Sequence, residues 1–76
     1  MTPEISNDIF VVSVKLSVSL LELLVEDHLK RNDFAAAIRD CEAVAPMMNR
    51  YLDRQDIREM AVVERWKACV DKIGVD

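Results

Sequence analysis

Apolar residues recur at steps of three and four along the first third of the chain. No Gly or Pro interrupts this run between Asp8 and Arg31, so it predicts one long helix with a seam that meets another helix. The seam positions are Val11, Val14, Val18, Leu21, Val25 and His28.

Further leucines lie beside and behind this seam, which predicts that the helix is covered on more than one side. Because the rest of a 76-residue chain can cover one side only, we predict a homodimer through this helix. An obligate heterodimer is the alternative, because an uncovered apolar face has the same pattern in both. The expected dimer interface consists of Leu16, Leu20, Leu23 and Leu24.

The segment from Val12 to Leu20 also alternates apolar and polar residues with period two, a pattern that is typical of a β-strand. A helix is favoured because the run continues into strong helix formers and no turn signal separates the two halves. Nothing later in the chain predicts a strand that could pair with it. A strand over residues 11–19 is the alternative, and as a two-stranded ribbon between chains it too implies an oligomer.

The remaining sequence predicts a second arm that folds back on the first. Asn32 suits a helix end and Asp33 suits the cap of the next helix, so the turn is tight and the return is antiparallel. The fold class is all-α, a single domain over residues 1–76 built as an antiparallel helical hairpin of two to three helices with a kinked second arm. The predicted boundaries are a helix over about 8–31, a turn at 32–33, a helix over about 34–45, a kink at Pro46, and one or two helices over about 47–73. If there are two, a short bend near residues 53–56 separates them, with Asp56 as the cap.

Composition narrows the class of protein. A chain of this length forms one small domain whose core provides little stability alone. Cys41 and Cys69 match no disulfide or zinc pattern, and the first residues lack the basic flank of a signal peptide, which favours the cytoplasm. Lys15, Glu22 and three serines argue against a membrane span in the first apolar run. The net charge of -4 disfavours non-specific nucleic-acid binding.

Met47 and Tyr51, directly after Pro46, are candidates for a surface that binds another protein. Methionine adapts to irregular surfaces and tyrosine is enriched in binding hot spots. The alternative is plain packing in the core or at its edge.

A row of arginines is the second candidate for partner binding. Arg50, Arg54 and Arg58 are spaced four apart, and Arg65 falls on the same face if residues 47–73 are helical. Such a row can dock an acidic partner or a phosphate backbone. The alternative is a solvated helix face whose charge is neutralised by nearby acidic residues.

His28 is the single histidine, and it has Asp27 beside it in sequence. Because no nucleophile or second acid-base group converges on it in the sequence, we predict a packing histidine. Cys41 and Cys69 are predicted to be buried free thiols. We therefore predict no enzymatic activity, no cofactor and no metal.

The predicted turn combines a polar stretch, an aromatic residue and a small residue that packs closely between two helices. These positions are Asn32, Asp33, Phe34, Ala37, Ile38, Cys41 and Val44. In this pattern, over about half of the chain, the sequence resembles a single tetratricopeptide-like helical hairpin. Pro46 departs from the family, whose usual proline would fall at position 49. The resemblance implies a hairpin with a peptide- or protein-binding role.

As a short, acidic, all-helical chain, the protein is similar in type to small phage-encoded proteins that modulate host machinery and to chaperones of secretion systems. We predict a protein–protein interaction module that binds and inhibits another protein, in the host cytoplasm if it is phage-encoded. The alternatives are a tetratricopeptide-like secretion chaperone subunit and a small nucleic-acid-binding regulator that uses the arginine row.

Overall fold

The computed structural model describes the backbone of residues 3–74 and the side chains of residues 8–74. Its elements are three helices, α1 (Pro3–Lys30), α2 (Phe34–Leu52) and α3 (Met60–Lys72). No strand occurs within residues 3–74, so the predicted all-α class is confirmed. α1 begins earlier than predicted because Pro3, with its fixed φ, suits the first position of a helix.

The alternating segment from Val12 to Leu20 lies within α1, so the strand alternative is wrong. The alternation arises because this helix is apolar on two sides. Side chains two residues apart on a helix point about 200° apart around its axis. Val14 and Val18 are therefore fully buried, whereas Leu16 and Leu20 point away from them into solvent. The predicted seam is confirmed: only Val11 and His28 are half-buried, and the other members are buried.

The turn between α1 and α2 has the predicted chemistry. Asn32 adopts a left-handed conformation with φ of 58°, which asparagine tolerates better than most residues. The side chain of Asp33 accepts a hydrogen bond from the backbone N–H of Ala36 at 3.1 Å and caps α2. The predicted helix end and helix cap are both confirmed.

Contacts at both ends of the hairpin show that α2 runs antiparallel to α1. Near the turn, Nδ1 of His28 lies 2.6 Å from Oδ2 of Asp40. At the far end, the rings of Phe10 and Tyr51 pack with their centroids 6.1 Å apart.

α3 lies beside α1 and runs in the same direction. Lys15 of α1 contacts Glu59, just before α3, and Glu22 contacts Arg65 within it. The three helices therefore form a small up-down-up bundle. None of the helices in residues 3–74 is both long and apolar enough to cross a membrane.

The second arm breaks at residues 53–59, where the two-helix alternative put a bend, and not at Pro46, which corrects the predicted helix end at residue 45. α2 continues through Pro46 to Leu52. Pro46 removes the amide that would bind the carbonyl of Glu42, but both residues are exposed, so water can bind that carbonyl. Met48, one turn further on, is fully buried, and a break at Pro46 would remove it from the core.

The core consists of two clusters along the bundle. The cluster nearer the 53–59 loop contains Val14, Val18, Met48, Tyr51, Val62 and Val63. The cluster nearer the turn contains Leu21, Val25, Cys41 and Cys69. All three helices contribute to the core, and α1 contributes the inner of its two apolar sides.

Candidate functional site

The outer side of α1 carries six large apolar side chains in contact with solvent. We call it the exposed α1 face, and its members are Ile9, Val12, Leu16, Leu20, Leu23 and Leu24. Exposure ranges from 36% at Leu24 to 67% at Leu23, and the other four are more than half exposed. Single exposed leucines are ordinary, but a contiguous row over about four helical turns is typical of an interaction site.

The exposed α1 face lies opposite the core. Leu20 and Leu21 are neighbours in the chain, yet Leu21 is fully buried and Leu20 is 56% exposed. α2 and α3 pack against the inner side of α1, so no part of the described chain covers the outer side. The apolar character of this outer side therefore contributes nothing to the core of the subunit.

Within residues 9–24, α1 carries two charged side chains, Lys15 and Glu22. Both form ion pairs with residues in or next to α3. Nζ of Lys15 lies 2.7 Å from Oε2 of Glu59, and this hydrogen bond raises the pKa of Lys15. Arg65 donates to Glu22 through Nη2 at 2.5 Å and through Nε at 3.3 Å, which lowers the pKa of Glu22. Covering the exposed α1 face therefore need not desolvate an unpaired ion within residues 9–24.

A shallow groove between α1 and α2 extends this face. Its volume is about 170 Å³, and most of its surface is apolar. Its walls are formed by Ser17, Leu20, Leu21 and Leu24 of α1 and by Asp40, Ala43 and Val44 of α2. Because Leu20 and Leu24 belong to both features, a chain that docks on the exposed α1 face also reaches the groove.

Charged residues mark the end of the exposed α1 face near the turn. Glu26 pairs with Lys30 at 3.3 Å and Asp27 pairs with Arg31 at 3.4 Å. Both pairs join residues four apart on the helix surface. Asp27 follows Leu20 and Leu23 on the same side of α1, so the apolar row ends where this carboxylate begins.

The four leucines predicted at a dimer interface, Leu16, Leu20, Leu23 and Leu24, all lie on the exposed α1 face. The sequence-based set did not include Ile9 and Val12, which extend the same row by two turns. Val12 lies four residues before Leu16 and Ile9 lies three residues before Val12, and this helical spacing is the signal that could have identified them.

The structure does not place Tyr51 on an open surface, which corrects the prediction for that residue, whereas the role of the half-buried Met47 stays a prediction. Tyr51 is fully buried, and Met47 is half-buried against the first core cluster. The hydroxyl of Tyr51 donates to the carbonyl of Ile57 at 3.4 Å and accepts from the backbone N–H of Glu59 at 2.8 Å. The 53–59 loop thus closes over this tyrosine.

The arginines do not form one helical row, because α2 ends at Leu52. The guanidinium of Arg50 lies over the ring of Phe10, 5.3 Å from its centroid. Arg54 forms a two-point contact with Asp56 at 3.0 and 2.8 Å. Arg58 donates to the backbone carbonyl of Leu52 at 3.0 Å.

Each arginine of the predicted row therefore has an intramolecular contact that helps to shape the bundle. Arg65, which was expected on the same face, instead points to Ser19 and Glu22 of α1. The predicted basic strip is divided among the end of α2, the loop and the α1–α3 contact.

His28 packs between the first two helices, and its partner is Asp40 rather than the neighbouring Asp27. A carboxylate only accepts hydrogen bonds, so Nδ1 of His28 carries the hydrogen in this 2.6 Å contact. Asp27 points outwards because it lies one residue, or about 100°, away on α1.

Cys41 and Cys69 are buried free thiols in one core cluster, as predicted. Burial raises the pKa of both thiols, which disfavours the reactive thiolate. Among the described residues, no group of three or more His, Cys, Asp or Glu side chains is arranged to hold a metal ion.

The fold and this surface define a small three-helix bundle with one apolar helix face open to solvent. Scans of the chain against family models, curated proteins and solved structures found no match. The tetratricopeptide-like resemblance of the turn therefore stays a prediction, and function has to be inferred from the exposed α1 face.

Proposed function

We propose that this chain is a non-enzymatic protein–protein interaction module and that it binds through the exposed α1 face. The observation that carries the proposal is the burial contrast along α1, where Leu20 is open to solvent and Leu21 is fully buried. The outer row of leucines adds nothing to the core of the subunit. Binding of another polypeptide to this row would explain why it is apolar.

The size of this surface supports the proposal. Its six side chains expose on the order of 500 Å² of apolar area, which equals the largest patch on an ordinary monomer. At about 25 cal/mol per Å², covering it contributes on the order of 10 kcal/mol before the entropic cost of association.

The chemistry of the surface favours binding over catalysis. The groove beside Leu20 and Leu24 is largely apolar, and its one carboxylate, Asp40, is engaged with His28. In this proposal the His28–Asp40 contact holds α1 against α2 near the turn. Binding modulates the partner by occupying its apolar surface, which is how the predicted inhibitor and chaperone classes act.

Site-specific photo-crosslinking in cells that naturally express the chain tests this function. A photoreactive side chain at position 20 should form a covalent adduct with a polypeptide that mass spectrometry identifies. The matched control places the same group at position 67, where Lys67 is exposed on α3. An adduct at position 20 alone supports the proposal, whereas no adduct or equal adducts at both positions would overturn it.

A further inference from the structure

Five of the six members of the exposed α1 face have the same spacing when they are followed in either direction from Leu16; Leu24 is the exception, because its counterpart position is Asp8. Five members of the face lie at positions 9, 12, 16, 20 and 23, which are separated by steps of three, four, four and three. Such a row is superimposed on itself when the helix is reversed about its central residue. In an antiparallel pair of helices with the two-fold axis beside the central residue, each member of such a row therefore faces another member on the second copy.

We propose that a second copy of this chain covers the exposed α1 face, with the two α1 helices antiparallel and the two-fold axis at Leu16. The inference rests on the proposed function and names the partner at that same site. In this register Leu16 meets Leu16 of the second copy. Ile9 meets Leu23, and Val12 meets Leu20, so each of the five has an apolar counterpart.

The apolar area that this arrangement buries is at the lower limit for a specific dimer. Two exposed α1 faces together remove on the order of 1,000 Å² from water, which suits a reversible dimer rather than an obligate one. Ile9 of the second copy lies level with Leu23 and therefore comes close to Leu20 and Leu24 at the groove. α2 and α3 pack on the inner side of α1, so they leave room for the second copy.

Charge selects the antiparallel over the parallel arrangement. Asp27 continues the apolar row beyond Leu23, so a parallel, in-register pair would bring two Asp27 carboxylates together at the interface. In the antiparallel arrangement about Leu16, these carboxylates are about 33 Å apart along the helix axes. Lys15 and Glu22, the charged side chains within the row's length, stay engaged with the α3 side of each subunit.

Light scattering over a range of concentrations gives the absolute mass in solution and tests whether two copies of the chain associate. We expect a dimer at micromolar concentration. Leu16→Glu places two carboxylates against each other at the two-fold axis and should raise the dissociation constant by on the order of 100-fold or more. Because Leu16 is 66% exposed, helix content should be unchanged.

Met60→Glu is the matched control, because Met60 is exposed on α3 and lies outside the row. It should leave the dimer intact. If the wild-type chain stays monomeric and unfolds cooperatively on heating, the proposal that a second copy binds this face is wrong. It is also wrong if Leu16→Glu leaves the dimer unchanged.

Disulfide cross-linking tests the register separately. Leu16→Cys should form a covalent dimer under mild oxidation, since the two introduced thiols lie next to the axis. Leu23→Cys should not, because its copies are about 21 Å apart in this register. Rapid cross-linking at both positions would indicate parallel helices and overturn the antiparallel arrangement.

Different experimental results would disprove the dimer and the proposed function. If position 20 forms an adduct with a different protein and the chain is monomeric, the interaction module stands and the second copy is excluded. If no adduct forms at position 20 in cells, the proposed function fails together with the inference that rests on it.

Discussion

Arg65 of α3 binds Glu22 of α1 through two guanidinium nitrogens, and the same guanidinium donates to the hydroxyl of Ser19 at 3.0 Å. This contact joins residues far apart in the sequence and fixes α3 alongside α1. It also directs the carboxylate of Glu22 away from the exposed α1 face. The apolar surface and the packing of the bundle are thus established together.

Acid should weaken this contact. The hydrogen bond from Arg65 holds the pKa of Glu22 below its ordinary value in the folded state. Its contribution is therefore complete above the ordinary glutamate pKa of about 4.3 and is lost as the pH falls through the lower folded value. Glu22→Gln should lower the free energy of unfolding at neutral pH by less than about 1 kcal/mol, since both side chains are partly exposed.

Urea unfolding at several pH values measures this effect. The difference between wild type and Glu22→Gln should shrink as the pH is lowered from neutral to below 4. Glu42→Gln, which removes an exposed carboxylate on α2, is the control and should have little effect at neutral pH. A constant difference across the whole pH range would contradict the assignment to the ionised carboxylate.

Leu20 and Leu21 provide a test of the two apolar sides of α1, because they are adjacent in the chain and one is exposed whereas the other is buried. Leu21→Ala should lower the free energy of unfolding by about 3 kcal/mol, because it leaves a cavity in the core. Leu20→Ala should change the stability of the isolated subunit by about 0.5 kcal/mol or less. Urea unfolding in the low-concentration limit, where association contributes nothing, compares the two variants. Equal effects would contradict the two-sided description of α1.

Tyr51→Phe should loosen the loop between α2 and α3. Without the hydroxyl, the amide of Glu59 and the carbonyl of Ile57 lose their contact, which costs about 1–2 kcal/mol. Hydrogen exchange at the Glu59 amide should become faster in this variant. Met48→Leu changes the same core cluster without touching that hydrogen bond, so exchange at Glu59 should keep its wild-type rate.

The two native thiols should be protected from alkylation. Cys41 and Cys69 are buried, and burial raises the pKa of both. We expect iodoacetamide to react with them at least about 100-fold more slowly in the folded chain than in urea. Met60→Cys introduces an exposed thiol outside the exposed α1 face as an internal control and should react at the rate of an ordinary cysteine. Fast reaction of either native thiol would show that this part of the core opens readily.

The sequence was sufficient to predict the helices that are specified by local patterns. The spacing of Val14, Val18 and Leu21 predicted the buried side of α1, and Asn32 and Asp33 predicted the turn through their own backbone and capping chemistry. Each of these features depends on residues within a few positions of one another. The period-two alternation was ambiguous because an alternating row also fits a helix that is apolar on two opposite sides.

The features that the sequence did not reveal depend on contacts between distant segments. Tyr51 is buried because the loop after α2 returns over it, and no local pattern encodes that return. Pro46 stays within α2 because the core contacts of Met48 and Tyr51 outweigh one lost hydrogen bond. His28 contacts Asp40 across the hairpin, a pairing that becomes visible once the register of the two helices is known.

A helix with two apolar sides has a consequence for how the chain accepts substitutions. If folding of one subunit were the only demand on α1, polar residues at positions 12, 16, 20 and 23 would be neutral or beneficial for solubility. A comprehensive substitution screen for activity in its own cell would then show tolerance at every third or fourth position. A surface in use would give the reverse pattern, with intolerance on both sides of α1 and tolerance confined to its charged edge.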